Sequence, residues 1–270
     1  MSSARGVIAA IVASLVALAL SPIEHGHAVP GRKVVKARAR PTAPEKCEPR
    51  KFRIVVDVGH TSESLGATSA RNDPEFGFNL HLAKLIGDRL KSEGFAATRV
   101  LVTEGKARAS LLKRVGTAND AHADFFLSVH HDSVPDKMLE EWEFDGARSF
   151  FSDRFGGHSL FVSERNPRFG ASLAFARLLG KELKEHGLHY ASQYTLPLMG
   201  RYRRQLLDKD VGVYRYDALV VLSQTRSAAV LLEAGSIINR DEEIAMNSPE
   251  RQELIAEAVA AAMREFCEKR

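Results

Sequence analysis

The chain is 270 residues long, 27% charged and 44% hydrophobic, with a formal net charge of +4. The positive excess is confined to residues 29–50, where seven Lys/Arg face two acids; residues 1–28 cancel, and residues 51–270 sum to −1. A nucleic-acid-binding domain needs its basic patch on the folded part, so that class loses its support, and beyond residue 20 no stretch approaches the ~20 apolar residues of a membrane-spanning helix.

Residues 1–28 read as a signal peptide. One basic residue, Arg5, precedes an apolar run from Val7 to Leu20, and small and polar residues ending in Gly-His-Ala follow. A run of about 14 residues suits a signal-peptide core and is short for a bilayer. Cleavage after Ala28 is expected, with an uncleaved anchor as the alternative; the expected location is periplasmic or secreted, free of the membrane after cleavage. Residues 29–50 read as a basic linker, because Pro30, Pro41, Pro44, Pro49 and scattered charges prevent a continuous helix or a packed face. It is a solvated tether or a contact for anionic envelope polymers. Cys47 and Cys267 lie near the two ends of the remaining segment. Export permits a disulfide, and pairing would close a loop of roughly 220 residues, worth on the order of 3–5 kcal/mol in the chain-entropy model. Two free thiols are the alternative.

Residues 51–270 suffice for one sizeable core. "FRIVVDVGH" is a β-branched apolar run and reads as a buried strand. In "EFGFNLHLAKLIGDRLKSEG" the residues Phe78, Leu82, Leu85, Ile86 and Leu90 recur at helical spacing. "FAATRVLVT" is strand-like, and "SLLKRVGTANDAHA" is helical with Ser110 as its expected N-cap. "DFFLSVHH" is a further apolar strand. Residues 134–157 hold acids, Trp142 and several Phe, and read as a hydrophobic flap or as a solvated loop packing its own aromatics. "SLFVS" (strand), "GASLAFARLLGKELKEHG" (amphipathic helix) and a basic, aromatic stretch over 189–217 come next; that stretch could present Arg and Tyr to a glycan or an acidic peptide. "ALVVLSQ" and "AAVLLEAG" read as short strands, and a terminal helix begins with Ser248 as cap and Pro249 in its first turn. Strands alternating with helices predict an α/β layered domain with a mostly parallel central sheet flanked by helices.

Three apolar strands finish in metal-competent or acid-base side chains: "VVDVGH", "FFLSVHH" and "AVLLEAG". Packing gives a core strand no reason to end so, because an unpaired buried ionisable group is costly. In parallel sheets ligands bind at the carboxyl ends of strands, which is where His60, His130 and Glu233 fall. Glu75 opens the helix after the first strand and can reach the same edge. Two imidazoles and a carboxylate make a catalytic zinc site, and a further Glu can move the proton.

The combination of Asp57-Val-Gly-His60, Glu75 with Asn79-Leu80, Arg114 with Ala118-Asn119, Ser128-Val-His130, and Glu233-Ala-Gly235 with Asn239 resembles the zinc-dependent N-acetylmuramoyl-L-alanine amidases. The resemblance spans nearly all of 53–266. It implies zinc ligands His60, Glu75 and His130, Glu233 as catalytic acid-base, and peptidoglycan as substrate; whether an activator protein takes part is left open. The chain departs from the pattern in its polar loop "TSESLGATSARNDP", in Thr103-Glu104, in Asp132 where Asn is usual, and in Ser236.

Alternatives remain at this level. His60-x-x-Glu63 has metallocarboxypeptidase spacing, so Glu63 rivals Glu75. His131 competes with His130, although neighbours on a strand face opposite ways. Glu75 could serve only the helix dipole, and Glu233 could be a buried structural acid. A peptidase acting on wall peptides and an inactive wall-binding regulator on the same scaffold are the competing functions.

Overall fold

Residues 47–270 are described by a computed structural model; the expected signal peptide over 1–28 and nearly all of the expected linker over 29–50 lie outside the described residues. The elements in chain order are β1 (Ile54–Val58), α1 (Glu75–Ser92), β2 (Arg99–Leu101), α2 (Ala107–Asp120), β3 (Phe125–Asp132), β4 (Glu140–Phe144) and β5 (Ala147–Phe151). They continue with β6 (Ser159–Val162), α3 (Phe169–Glu185), β7 (Gln205–Asp208), β8 (Val213–Arg215), α4 (Val220–Ser223), β9 (Ala228–Ser236), α5 (Arg240–Asn247) and α6 (Pro249–Glu268).

The runs that are apolar over most of both faces become the inner strands, since strands buried on both sides read as near-continuous hydrophobic runs. Seven strands form one sheet in the order β2-β1-β3-β9-β6-β8-β7. The pairs β1–β2, β1–β3, β3–β9 and β6–β8 are parallel, whereas β6–β9 and β7–β8 are antiparallel. The sheet is therefore mostly parallel and flanked by helices, as expected.

Side-chain alternation sorts the strands onto two cores. Ile54, Val56, Phe125, Leu127, Val129, Val230 and Leu232 pack with α1, α3 and α6 through Ile86, Phe175, Leu179, Val259, Met263 and Phe266. The opposite set, Val55, Phe126, Phe161 and Leu231, packs with Val115, Ala118, Tyr194, Tyr214, Val221 and Leu222. Asp57, Ser128, His130 and Glu233 share the second parity, so the sheet delivers them to the face roofed by α2 and α4.

Several local expectations change. Helix α2 starts at Ala107, and Ser110 lies inside it with its hydroxyl on the Ala107 carbonyl, so it is no N-cap. Residues 220–223 form one helical turn rather than a strand. The buried Asn166 amide donates to the carbonyls of Leu222, Thr225 and Ser227, a convergence that a straight strand cannot offer. Residues 134–157 are neither bare flap nor loop but carry the antiparallel hairpin β4–β5. Its turn is Asp145-Gly146, both with positive φ (49° and 72°), the geometry that Asp-Gly favours in two-residue hairpins. The 189–217 stretch supplies β8 and the edge strand β7. At the terminal helix Ser248 accepts from the Arg251 N–H as expected. Cys47 and Cys267 form a disulfide with Cα atoms 5.3 Å apart.

Candidate metal centre and catalytic cleft

His60 follows β1 in a left-handed conformation (φ 65°), which a non-glycine residue keeps only when its surroundings hold it there. Arg114 on α2 provides the hold. Its guanidinium donates to the carbonyls of Val58 and His60 and to both Asp57 oxygens at 2.9 and 3.0 Å, and Ser128 Oγ adds a bond to Asp57 at 2.8 Å. Arg114 and Asp57 are 2% and 0% exposed, so the pair is intact and buried at the base of the cleft. Gly59 and Gly66 let the rings in: a Cβ at Gly59 would sit 2.6 Å from the His130 ring, and one at Gly66 would sit 2.4 Å from Glu75 Oε2.

Glu75 opens α1 and is 4% exposed. Its Oε2 lies 3.0 Å from His60 Nε2 and its Oε1 lies 3.1 Å from His130 Nδ1. The Ala67 N–H also donates to Oε2 at 2.9 Å, tying the 61–74 loop to the helix start. Burial opposes ionisation of Glu75, but the hydrogen bonds and charges of His130 and His60 prevail and hold it well below the usual range. Donor atoms of His60, Glu75 and His130 all lie within 4.8 Å of one another. Two imidazoles and one carboxylate converging this closely fit the donor set of catalytic zinc.

The rival residues fall elsewhere. Glu63 is exposed, and its Oε2 accepts from the Gly105 N–H at 2.7 Å. His131 points to the other core, beside Phe78, with its Nδ1 2.8 Å from Asn79 Oδ1. The Asn79 amide nitrogen donates to Glu75 Oε1 at 3.0 Å and to the Gly59 carbonyl at 3.2 Å, so Asn79 Oδ1 must accept from His131. Burial lowers the His131 pKa to about 4 and keeps the ring neutral.

Glu233 stands opposite His130 in the β3–β9 register. It lines a cavity of about 570 Å³ together with His60, Glu75, His130, Arg108, Arg204 and Tyr216. Its Oε2 is buried without a hydrogen-bond partner. Burial first, then the charges of Asp132 and Glu75, push its carboxyl well above the usual range. Asp132 is raised as well, to about 7, chiefly by burial; Tyr194 donates to its Oδ1 at 2.6 Å.

Of the residues that sequence reasoning singled out, His60, Glu75, His130 and Glu233 meet in one cleft. In the sequence Asp132 stands out only as a departure from the family pattern, and Tyr194 and Arg204 only within the 189–217 stretch, without being singled out. Asn79 is named there with Glu75 but given no role, although its position four residues on places it on the same helical face.

Fold and cleft together define a class: an α/β-layered enzyme with a candidate three-residue metal centre and an isolated carboxylate at the carboxyl edge of its sheet. A family model described as N-acetylmuramoyl-L-alanine amidase matches residues 54–265. A protein of Buchnera aphidicola subsp. Baizongia pistaciae, provisionally assigned as an N-acetylmuramoyl-L-alanine amidase, is 22% identical over 221 residues, covering 80% of this chain and 97% of its own. The amidase Ami1 of Mycobacterium smegmatis superposes with a TM-score of 0.60 at 17% identity, over 82% of this chain and 98% of that one. The catalytic domain of the amidase CwlV from Bacillus (Paenibacillus) polymyxa var. colistinus gives 0.57 at 24%, over 79% and 96%. The chain belongs to the N-acetylmuramoyl-L-alanine amidase family, enzymes that hydrolyse the amide joining N-acetylmuramic acid to L-alanine in peptidoglycan.

Proposed function

We propose that the protein carries out this hydrolysis with zinc held by His60, Glu75 and His130, and with Glu233 as the proton-transferring group. The observation that supports this reading is the convergence of three donors from separate elements within 4.8 Å, beside a buried carboxylate in register with one of them. When bound, zinc supplies Lewis-acid polarisation of the carbonyl and lowers the pKa of water. The chain's residues do the rest. Asn79, with His131 behind it, orients the Glu75 carboxylate; Arg114 and Asp57 fix His60. Glu233 sits in a largely apolar wall where its proton affinity is raised, so it can take the water's proton and return it to the leaving nitrogen. The exposed Glu63 offers no support for the peptidase alternative.

Peptidoglycan lies outside the cytoplasm, consistent with the signal peptide expected over 1–28, and the protein is proposed to act there. No helix among the described residues is long and apolar enough to cross a membrane. The test is zinc content of the purified protein, followed by digestion of sacculi with mass analysis of the products. Free stem peptides beginning with L-alanine are expected. Stems shortened at their carboxyl ends would favour the peptidase, and sacculi bound but undigested with zinc present would favour the regulator.

A further inference from the structure

Arg204 shares the cleft with the candidate metal residues and Glu233, yet none of the hydrogen bonds that hold it goes to an acid. Its guanidinium lies 3.7 Å from the centre of the Tyr216 ring. Its Nη1 donates to the carbonyls of Arg201 and Arg203, each at 3.0 Å. Its backbone N–H donates to the Tyr194 carbonyl at 2.8 Å, and the Tyr194 hydroxyl donates to Asp132, two residues beyond His130. The group is thus positioned by neutral contacts and referenced to the strand that carries His130. Several other arginines do meet an acid: Arg53 with Asp124, Arg71 with Glu243, Arg114 with Asp57, Arg177 with Asp208, Arg215 with Asp217 and Arg240 with Asp153. Among the described residues no carboxylate pairs with Arg204, and its Nε is buried without a partner. Arg108 lines the same cleft and is likewise without an acidic partner among the described residues.

We propose that Arg204, assisted by Arg108, is the subsite for a carboxylate on the peptide side of the scissile amide. This rests on the amidase reading. In that substrate the lactyl carboxyl is consumed by the amide and the neighbouring sugar carries no charge, so the anions near the bond belong to the peptide. A residue joined through its side-chain carboxyl next to L-alanine leaves its α-carboxylate free, within two residues of the cleavage point. A stacked, planar guanidinium suits such a group, because its fork matches a carboxylate and the aromatic contact limits its motion. Asp132 and Glu233 line the same cleft, but neither makes a hydrogen bond or ion pair with Arg204 among the described residues.

The test uses two soluble muramoyl dipeptides, one ending in D-isoglutamate and the other in D-isoglutamine, which differ only in whether that α-carboxyl is free or amidated. Zinc-loaded wild-type protein is expected to favour the free carboxylate by roughly tenfold or more in kcat/KM, the range of a charge-assisted hydrogen bond. In R204Q the ratio should fall towards one, R204K should keep part of it because the charge remains, and R108Q should lower it less than R204Q. Melting curves and zinc content verify that each variant is folded. Equal cleavage of both substrates by the wild type overturns the proposal whatever the variants do, as does a wild-type ratio preserved in R204Q, or a collapse in R108Q alone. Cleavage of neither substrate would remove the amidase reading, and the proposal with it.

Discussion

Asn79 is four residues beyond Glu75 on α1, and its amide links Glu75, the Gly59 carbonyl and His131 in one chain of hydrogen bonds. Partners behind a metal ligand fix its orientation, and losing one costs about 10–100-fold in metal affinity. Asn79→Ala is expected to weaken zinc binding by about that factor in a chelator competition; unchanged affinity would remove Asn79 from the site. Glu233→Gln tests the other half of the cleft. It should lower kcat by about 10²–10⁴-fold, the usual share of a general acid-base, while zinc content stays at the wild-type level. Residual turnover within a few-fold of wild type would make Glu233 a structural acid. Both histidines and both glutamates could be read from the chain because each ends or opens an apolar segment. Asp132 and Tyr194 could not be paired from the chain, since the bond that joins them spans 62 residues.

At the level of elements, the β4–β5 hairpin is pinned rather than free. The Trp142 indole N–H and Ser149 hydroxyl both donate to the Ala70 carbonyl, at 2.9 and 2.7 Å. Arg71, next in the chain, meets the fully buried Glu243 of α5 at 2.5 Å and lies near the Trp142 and Phe144 rings. Arg240 adds stacking on Phe151 and a bridge to Asp153. The 61–74 loop, which leads from His60 to Glu75, is therefore clamped between the hairpin and α5. Arg71→Ala leaves the buried Glu243 carboxylate without its counter-charge, with only the N–H of residue 71 still donating to it, which costs about 3 kcal/mol, the lower end for a broken buried pair because Arg71 is 23% exposed. Urea unfolding should show this loss, and Arg71→Met with Glu243→Met should recover most of it. A single variant as stable as wild type would mean the loop is held by other contacts. The hairpin was legible in principle from Asp145-Gly146 between alternating residues; the 220–223 turn was not, because Asn166, far away in sequence, bends it.

Across the whole molecule two global terms stand out. The Cys47–Cys267 disulfide joins the ends of the fold across 220 residues. Its reduction should cost roughly 3–5 kcal/mol, read as a lower melting temperature under reductant; an unshifted melt would show that the ends are held without it. His158 is 2% exposed, and burial lowers its pKa from 6.5 to about 4. The unfolded chain therefore takes up this proton at higher pH than the folded one, so the contribution of His158 to stability is fully present above about 6.5 and is lost as pH drops towards 4. One such group contributes at most roughly 3 kcal/mol over that window. His158→Phe should flatten the acid slope of urea unfolding between these values, and an unchanged slope would clear His158 of the effect.

The sequence alone determined the layered α/β class, the inner strands, the three ionisable residues at their ends and the acid that opens the first helix, because periodicity and the cost of burying charge act on neighbouring residues in the chain. It left Glu63 against Glu75 and His131 against His130 open. Tertiary structure brings Glu75 and His130 to His60 and sends their rivals elsewhere: the 61–74 loop folds back so that the Ala67 N–H donates to Glu75 and the Gly105 N–H to Glu63, and strand alternation turns His131 to Asn79. The 189–217 stretch was legible as a place for Arg and Tyr, but only tertiary structure placed Arg204 of that stretch in the cleft, because its stacking on Tyr216 and the bond of Tyr194 to Asp132 are contacts that folding makes.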